Sequence, residues 1–161
     1  MRPTTDKMRE RIFSMLQHNR YPDLYGANVM DVFAGTGALG LEALSRGASH
    51  VTFVEKSVKS IALLNTNITK MKVESDTTLI KKRATNVPPA STPCDFIFMD
   101  PPYGRGLLAP TIECLLEGGW LNDGGVIIAE LSTEEDFSVP GDLRLIDERT
   151  QGIQRVVFLL G

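Results

Sequence analysis

Residues 28–40, NVMDVFAGTGALG, constrain this chain more than any other stretch. An apolar run (Val29, Met30, Val32, Phe33) leads into Gly35, Gly37 and Gly40 and then into a helix-like pattern, the outline of a buried strand, a tight turn and a helix N-terminus. Glycine lets the backbone approach a ligand closely, and a helix N-terminus offers N–H groups with no partner inside the helix. The run Gly35-Thr36-Gly37-Ala38-Leu39-Gly40 satisfies G-x-G-x-x-G, and Glu55 stands twenty residues beyond Gly35, where a ribose-binding carboxylate is expected. Two cofactors fit that outline, a nicotinamide dinucleotide and S-adenosylmethionine.

The rest of the chain reads as strands alternating with helices. A helix is expected from Asp6 to Leu16, with Thr4 or Thr5 as N-cap and Met8, Ile12, Phe13, Met15 and Leu16 on its apolar face. Strands are expected at Val29–Phe33, Val51–Glu55, Thr77–Ile80, Asp95–Met99 and Gly125–Leu131, with helices at Ala38–Arg46, Ser57–Met71 and Leu107–Glu117. Arg144–Ile146 and Arg155–Leu160 close the chain as an antiparallel pair. This alternation predicts a doubly wound, Rossmann-like α/β fold, a mainly parallel seven-stranded sheet with an antiparallel edge. At 161 residues and 42% hydrophobic content, one domain spanning 1–161 is expected, with residues 1–20 as a helical segment packed on it.

Composition excludes more than it assigns. Every apolar run is too short to span a bilayer and the start has no signal-peptide segment, so the expected location is cytoplasmic with no membrane partner. Cys94 and Cys114 have no C-x-x-C or Cys/His pairing, so no metal is expected and both read as reduced core residues. Net charge is −3, yet residues 1–20 are basic and Lys81-Lys82-Arg83 makes a second small cluster. The basic face of the first helix, with Arg2, Thr4 and Arg9, is a candidate polyanion contact or an ordinary solvated face.

The second informative stretch is Asp100-Pro101-Pro102-Tyr103-Gly104, directly after the most apolar strand. If that strand neighbours the first, the motif opens onto the same crevice as the glycine turn. Two prolines make a stiff corner that donates no N–H, so nearby carbonyls stay available as acceptors beside a carboxylate and an aromatic ring. Such a corner suits a planar heterocycle held by its exocyclic amino group. Hydrogen bonds to the Asp100 carboxylate and the Pro101 carbonyl would localise the nitrogen lone pair and stabilise positive charge as a methyl group arrives. DNA adenine and a glutamine amide fit the same chemistry. The dinucleotide alternative explains the glycines and Glu55 but leaves this corner without a task.

Asp31-Val32-Phe33-Ala34-Gly35-Thr36-Gly37 resembles motif I of class I methyltransferases, and Asp100-Pro101-Pro102-Tyr103 resembles the (D/N)PPY motif of amino-group methyltransferases. With RPTTDKMRE at residues 2–10, FAGTGALGLEALSRGA at 33–48 and DPPYGRGL at 100–107, the chain resembles the RsmD family of bacterial 16S ribosomal RNA guanine-N2 methyltransferases over nearly its whole length. The resemblance implies the class I methyltransferase fold, S-adenosylmethionine as cofactor, and a monomer acting on 16S ribosomal RNA within an assembling small subunit. It implies that Asp31 and the turn Phe33, Ala34, Gly35 and Gly37 hold the methionine end and Glu55, followed by Lys56, the ribose. Arg83 and Ala84 fall at the adenine slot, where the family commonly has Asp or Asn, with Asn86 as a substitute. Asp100, Pro101, Pro102 and Tyr103 would hold and stack the guanine; Phe is common at the fourth position. Members usually begin with a strand hairpin before the RPT segment, whereas Met1 stands directly before it here, which implies a reduced RNA grip or an incomplete chain. His18, His50, Trp120, Asp123 and Glu130 read as surface, packing or strand-end residues.

Overall fold

Among the described residues, 5–161, of the computed structural model, seven strands form one sheet: β1 (Asn28–Val32), β2 (His50–Val54), β3 (Thr77–Ile80), β4 (Cys94–Met99), β5 (Leu121–Ser132), β6 (Arg144–Gln151) and β7 (Gln154–Leu160). Their order is β3-β2-β1-β4-β5-β7-β6. Strands β1 to β5 pair in parallel, and β7 is antiparallel to both β5 and β6, so the antiparallel edge is a hairpin with β7 inserted next to β5. Four helices accompany the sheet: α1 (Asp6–Met15), α2 (Ala38–Ser45), α3 (Val58–Met71) and α4 (Leu108–Glu117).

The two-residue period of a strand sorts its side chains into two cores. On β4, Phe96 and Phe98 join the cluster with Val29, Val51, Phe53 and Phe158, while Ile97 and Met99 join Met30, Val32, Val54 and Leu159 on the other side. Helices α1, α2 and α3 cover the first face and α4 covers the second. Helix α1 is fastened by Thr5, whose Oγ1 accepts the Met8 N–H at 3.2 Å, and it buries Met8, Ile12 and Phe13. Thr4 and Arg2 lie outside the described residues. Cys94 is a buried free thiol and Cys114 a half-buried one.

Two strands run longer than their apolar patterns. Strand β5 begins at Leu121 rather than Gly125, with a register shift against β4 between Cys94 and Phe96. Strand β6 continues past Ile146 through Asp147, Glu148 and Arg149 to Gln151. As an edge strand it is held by its ladder to β7 and by ion pairs, Arg149 with Asp147 at 2.6 Å and Arg155 with Glu148, which alternation of hydrophobicity does not reveal.

Chain order reverses at β1, whose neighbours are β2 and β4. The carboxyl ends of these strands therefore open onto a switch-point crevice. Helix α2 packs close to the sheet beside it because Gly40 has no Cβ: one built there would stand 2.5 Å from Phe53 Cε1 and 2.8 Å from Val51 Cγ1. Gly40→Ala decides between two opposed effects. Helix propensity alone favours alanine by about 1 kcal/mol, while overpacking costs about 1–3 kcal/mol. The expected outcome is a net loss of stability in urea denaturation.

Candidate functional site

The glycine turn is a closed structure before it is a ligand site. Phe33 (φ 59°) and Gly35 (φ 58°) both adopt left-handed backbone, so the chain turns sharply as it leaves β1. The Ala34 N–H donates to the Val54 carbonyl at 3.1 Å and the Gly37 N–H to the Ala34 carbonyl at 2.8 Å. Gly35 donates to Glu55 Oε1 at 2.8 Å. Gly37, the N-cap of α2, has no side chain to cap with, and Asp31 replaces it: Oδ2 accepts the Gly40 N–H at 2.9 Å. Burial pushes the Asp31 carboxyl up to about 7, opposed by the Gly40 N–H and reinforced by the Glu55 charge.

Beyond the turn lies a cleft of about 480 Å³, within the usual size of a small-molecule site. It brings together Phe33, Glu55, Lys56, Arg83 and Ala84 from the expected cofactor set. Asp31, Ala34, Gly35 and Gly37 are not on its lining; they form the turn that supports it. Asn86, the substitute considered for adenine, is also absent from the lining, and Thr85 takes that place. The short 3-10 turn Ala84–Asn86 starts with Ala84 buried and shows Thr85 to the cleft. Val54, Ser57, Ser60, Lys82, Arg105 and Leu107 also line it and were missed from sequence, while Pro102, expected at the base-holding corner, lines it as well. For Ser57 and Ser60 a signal existed: Ser57 N-caps α3, accepting the Ser60 N–H, directly after the acid that ends β2.

Glu55 is buried and fixed by three backbone donors, Gly35 on Oε1 and Lys56 and Ser57 on Oε2, at 2.8, 3.1 and 2.9 Å. A carboxylate presents about four lone-pair positions, so capacity for a ribose hydroxyl remains. Phe33, Val54, Ala84 and Leu107 give the cleft apolar walls. An adenosine fits this set: walls for the ring and an oriented acceptor for the sugar. A pyrophosphate does not. The N–H groups of Gly35, Gly37 and Gly40 are already taken, two of them by carboxylates, so the turn presents negative charge where a dinucleotide needs a positive helix terminus. A cationic ligand suits it.

Next to the cleft, the Asp100 N–H reaches the Val32 carbonyl at 3.4 Å, holding the end of β4 against β1. Asp100 and Pro101 are buried and Tyr103 is half-buried. Helix α4 has no side-chain cap, so Asp100 does not serve as one. Glu130, read from sequence as an ordinary strand-end acid, is instead a buried partner of the motif. Its Oε1 accepts the Tyr103 hydroxyl at 3.1 Å and Gln154 Nε2 at 2.8 Å. Met99 pairs with Ala129 in parallel register, so Asp100 and Glu130 are the next residues outward on adjacent strands. Arg9 is not brought to this crevice. It pairs with Asp6 at 3.1 Å and Glu42 at 3.8 Å in a separate groove.

Sheet order, switch-point crevice and motif placement define the class I methyltransferase fold. An RNA methyltransferase from Salinibacter ruber in complex with S-adenosyl-L-homocysteine shares it at TM-score 0.74 and 10% identity, covering 99% of this chain and 93% of that one. The family described as "Conserved hypothetical protein 95" matches residues 1–160. Ribosomal RNA small subunit methyltransferase D of Escherichia coli strain K12 is 37% identical over 153 residues, 94% of this chain and 75% of that protein. The solved structure of yhhF from Escherichia coli superposes at TM-score 0.87 and 35% identity, over 99% of this chain and 87% of that one. The chain is a methyltransferase and belongs to the ribosomal RNA small subunit methyltransferase D family.

The position of Asp31 sets a pH dependence. Its carboxyl titrates near 3.8 when unfolded and near 7 when folded, so its contribution to stability is fully present below the lower value and is lost as pH rises through the upper one. Asp31→Asn keeps an acceptor for Gly40 and cannot ionise. Its melting temperature relative to wild type should rise between pH 4 and pH 7, measured by scanning calorimetry without ligand; a constant difference would refute the assignment.

Proposed function

We propose that the chain transfers a methyl group from S-adenosylmethionine to the exocyclic N2 of a guanine in 16S ribosomal RNA. One observation carries the reading: Pro102 belongs to the Asp100–Tyr103 corner and also lines the adenosine-sized cleft, so base site and cofactor site share a wall. Substrate class comes from the relatives, the Escherichia coli protein being a ribosomal RNA small subunit methyltransferase.

Glu55 would accept a ribose hydroxyl, with Lys56 beside it, and Phe33, Val54, Ala84 and Leu107 would enclose the adenine, with Arg83 and Thr85 at its edge. Asp31 and the turn at Gly35 and Gly37 would set the negative field for the methionine ammonium. When bound, S-adenosylmethionine supplies an electrophilic methyl group on a sulfonium. Asp100 and the Pro101 carbonyl accept hydrogen bonds from the guanine amino group, which localises its lone pair, while Tyr103 stacks on the ring. The methylated nitrogen is acidic and needs no strong base to lose its proton. Alignment of the nitrogen with the methyl group supplies the rest of the acceleration.

The target base must be flipped out or lie in an open loop to reach Tyr103. Lys56, Lys82, Arg83 and Arg105 are exposed around the cleft, and none is ion-paired with another described residue. They offer a local phosphate contact on a chain of net charge −3, which implies modest, salt-sensitive RNA affinity. An assembling small subunit in the cytoplasm is the proposed substrate particle. Both halves of the site come from one chain, so a monomer suffices.

Calorimetric titration with S-adenosylhomocysteine, with NAD as control, is the first test. Saturable binding that weakens on Glu55→Ala is expected, and heat with NAD alone overturns the reading. On 30S particles lacking the modification, Asp100→Ala should lower labelled methyl transfer by about 10²-fold or more while S-adenosylhomocysteine still binds.

A further inference from the structure

We infer that Glu130 is a positioning residue that acts through Tyr103, holding the aromatic ring in the plane on which the target base stacks. The inference rests on the guanine-transfer reading for its purpose and on the described contacts for its geometry. Glu130, near the end of β5, is 3% exposed, and Gln154, at the start of β7, is 2% exposed. Both donate or accept at one point: Glu130 Oε1 receives the Tyr103 hydroxyl and the Gln154 amide. The acid is thereby fixed by the sheet and in turn fixes the ring.

On its C-terminal side Tyr103 is followed by backbone that packs little. Gly104 and Gly106 have φ of 73° and 61°, and open space surrounds the place where a Cβ would sit on each. The Gly104 N–H donates to Glu135 Oε1 at 3.2 Å, and the same oxygen receives the Ser132 N–H at 3.5 Å. Two carboxylates, one from β5 and one from the turn after it, thus hold Tyr103 and Gly104 at successive positions. A phenylalanine would stack as well as Tyr103, but it has no hydroxyl for Glu130 to hold. The hydroxyl is therefore a functional part of the motif here, because it converts a stacking ring into an oriented one.

The test is methyl transfer on 30S particles by Glu130→Ala, Glu130→Gln, Tyr103→Phe and the double variant Glu130→Ala/Tyr103→Phe, with S-adenosylhomocysteine affinity measured for each. Glu130→Ala and Tyr103→Phe should each lower kcat by about ten- to a hundredfold, the scale of a misplaced reactant, at unchanged S-adenosylhomocysteine affinity. The double variant should be no worse than the worse single one, because both remove the same tether. Glu130→Gln keeps the acceptor oxygen and should restore most of the rate. Multiplying losses, or full kcat in a folded Glu130→Ala, would overturn the inference. Hydrogen exchange over residues 101–107 gives a second reading that needs no activity and survives a Glu130→Ala that fails to fold. Tyr103→Phe should speed exchange at Gly104, and unchanged exchange counts against the tether. If the wild type binds S-adenosylhomocysteine but methylates no 30S particle, the guanine-transfer reading fails while the exchange result still judges the tether.

Discussion

Two buried carboxylates at the ends of neighbouring strands clasp the glycine turn, and the rest of the site depends on that clasp. Asp31 caps α2 from β1, and Glu55 reaches from the end of β2 to the Gly35 N–H. Each hydrogen bond ties a different element to the turn, so strand, turn and helix are fixed relative to one another before any ligand arrives. The cost is the burial of a carboxyl in a low-dielectric place, with the nearby Glu55 charge a lesser addition, visible as the upward shift of Asp31. A turn that spends its N–H groups on carboxylates has a field suited to positive charge. The same three glycines in a dinucleotide-binding protein leave those groups for phosphate.

The crevice is divided in labour along the sheet. On the β2 and β3 side lie apolar walls, the Glu55 acceptor and a rim of exposed cations; on the β4 and β5 side lie the proline corner and the acids around Tyr103. Pro102 stands between them, part of the Asp100–Tyr103 corner and of the cleft lining. Parallel strands make such a division natural, because all their carboxyl ends face one crevice and each can deliver a different residue to it.

Much of the fold was legible because its signals are local. Strand β3 has the expected limits, Thr77–Ile80, and α3 and α4 begin and end within a residue of theirs. The β6 extension was not legible, since its polar residues are held by the β7 ladder and by ion pairs within the hairpin, which hydrophobic alternation does not register. Among the residues lining the cleft, Glu55 and Pro102 were legible from spacing and composition. Thr85 in place of Asn86 depended on the phase of a single 3-10 turn.

What the sequence by itself determined is the order of elements and the chemistry available at two strand ends, because strand period, glycine turns and proline corners act over a few residues. What only the tertiary structure decided is who meets whom. Glu130 joins Tyr103 across 27 residues and Gln154 across 24, and Arg9 is taken out of the candidate site by Glu42. Those pairings follow from strand order and register, which set side chains from distant segments within hydrogen-bonding reach and leave no trace in local spacing.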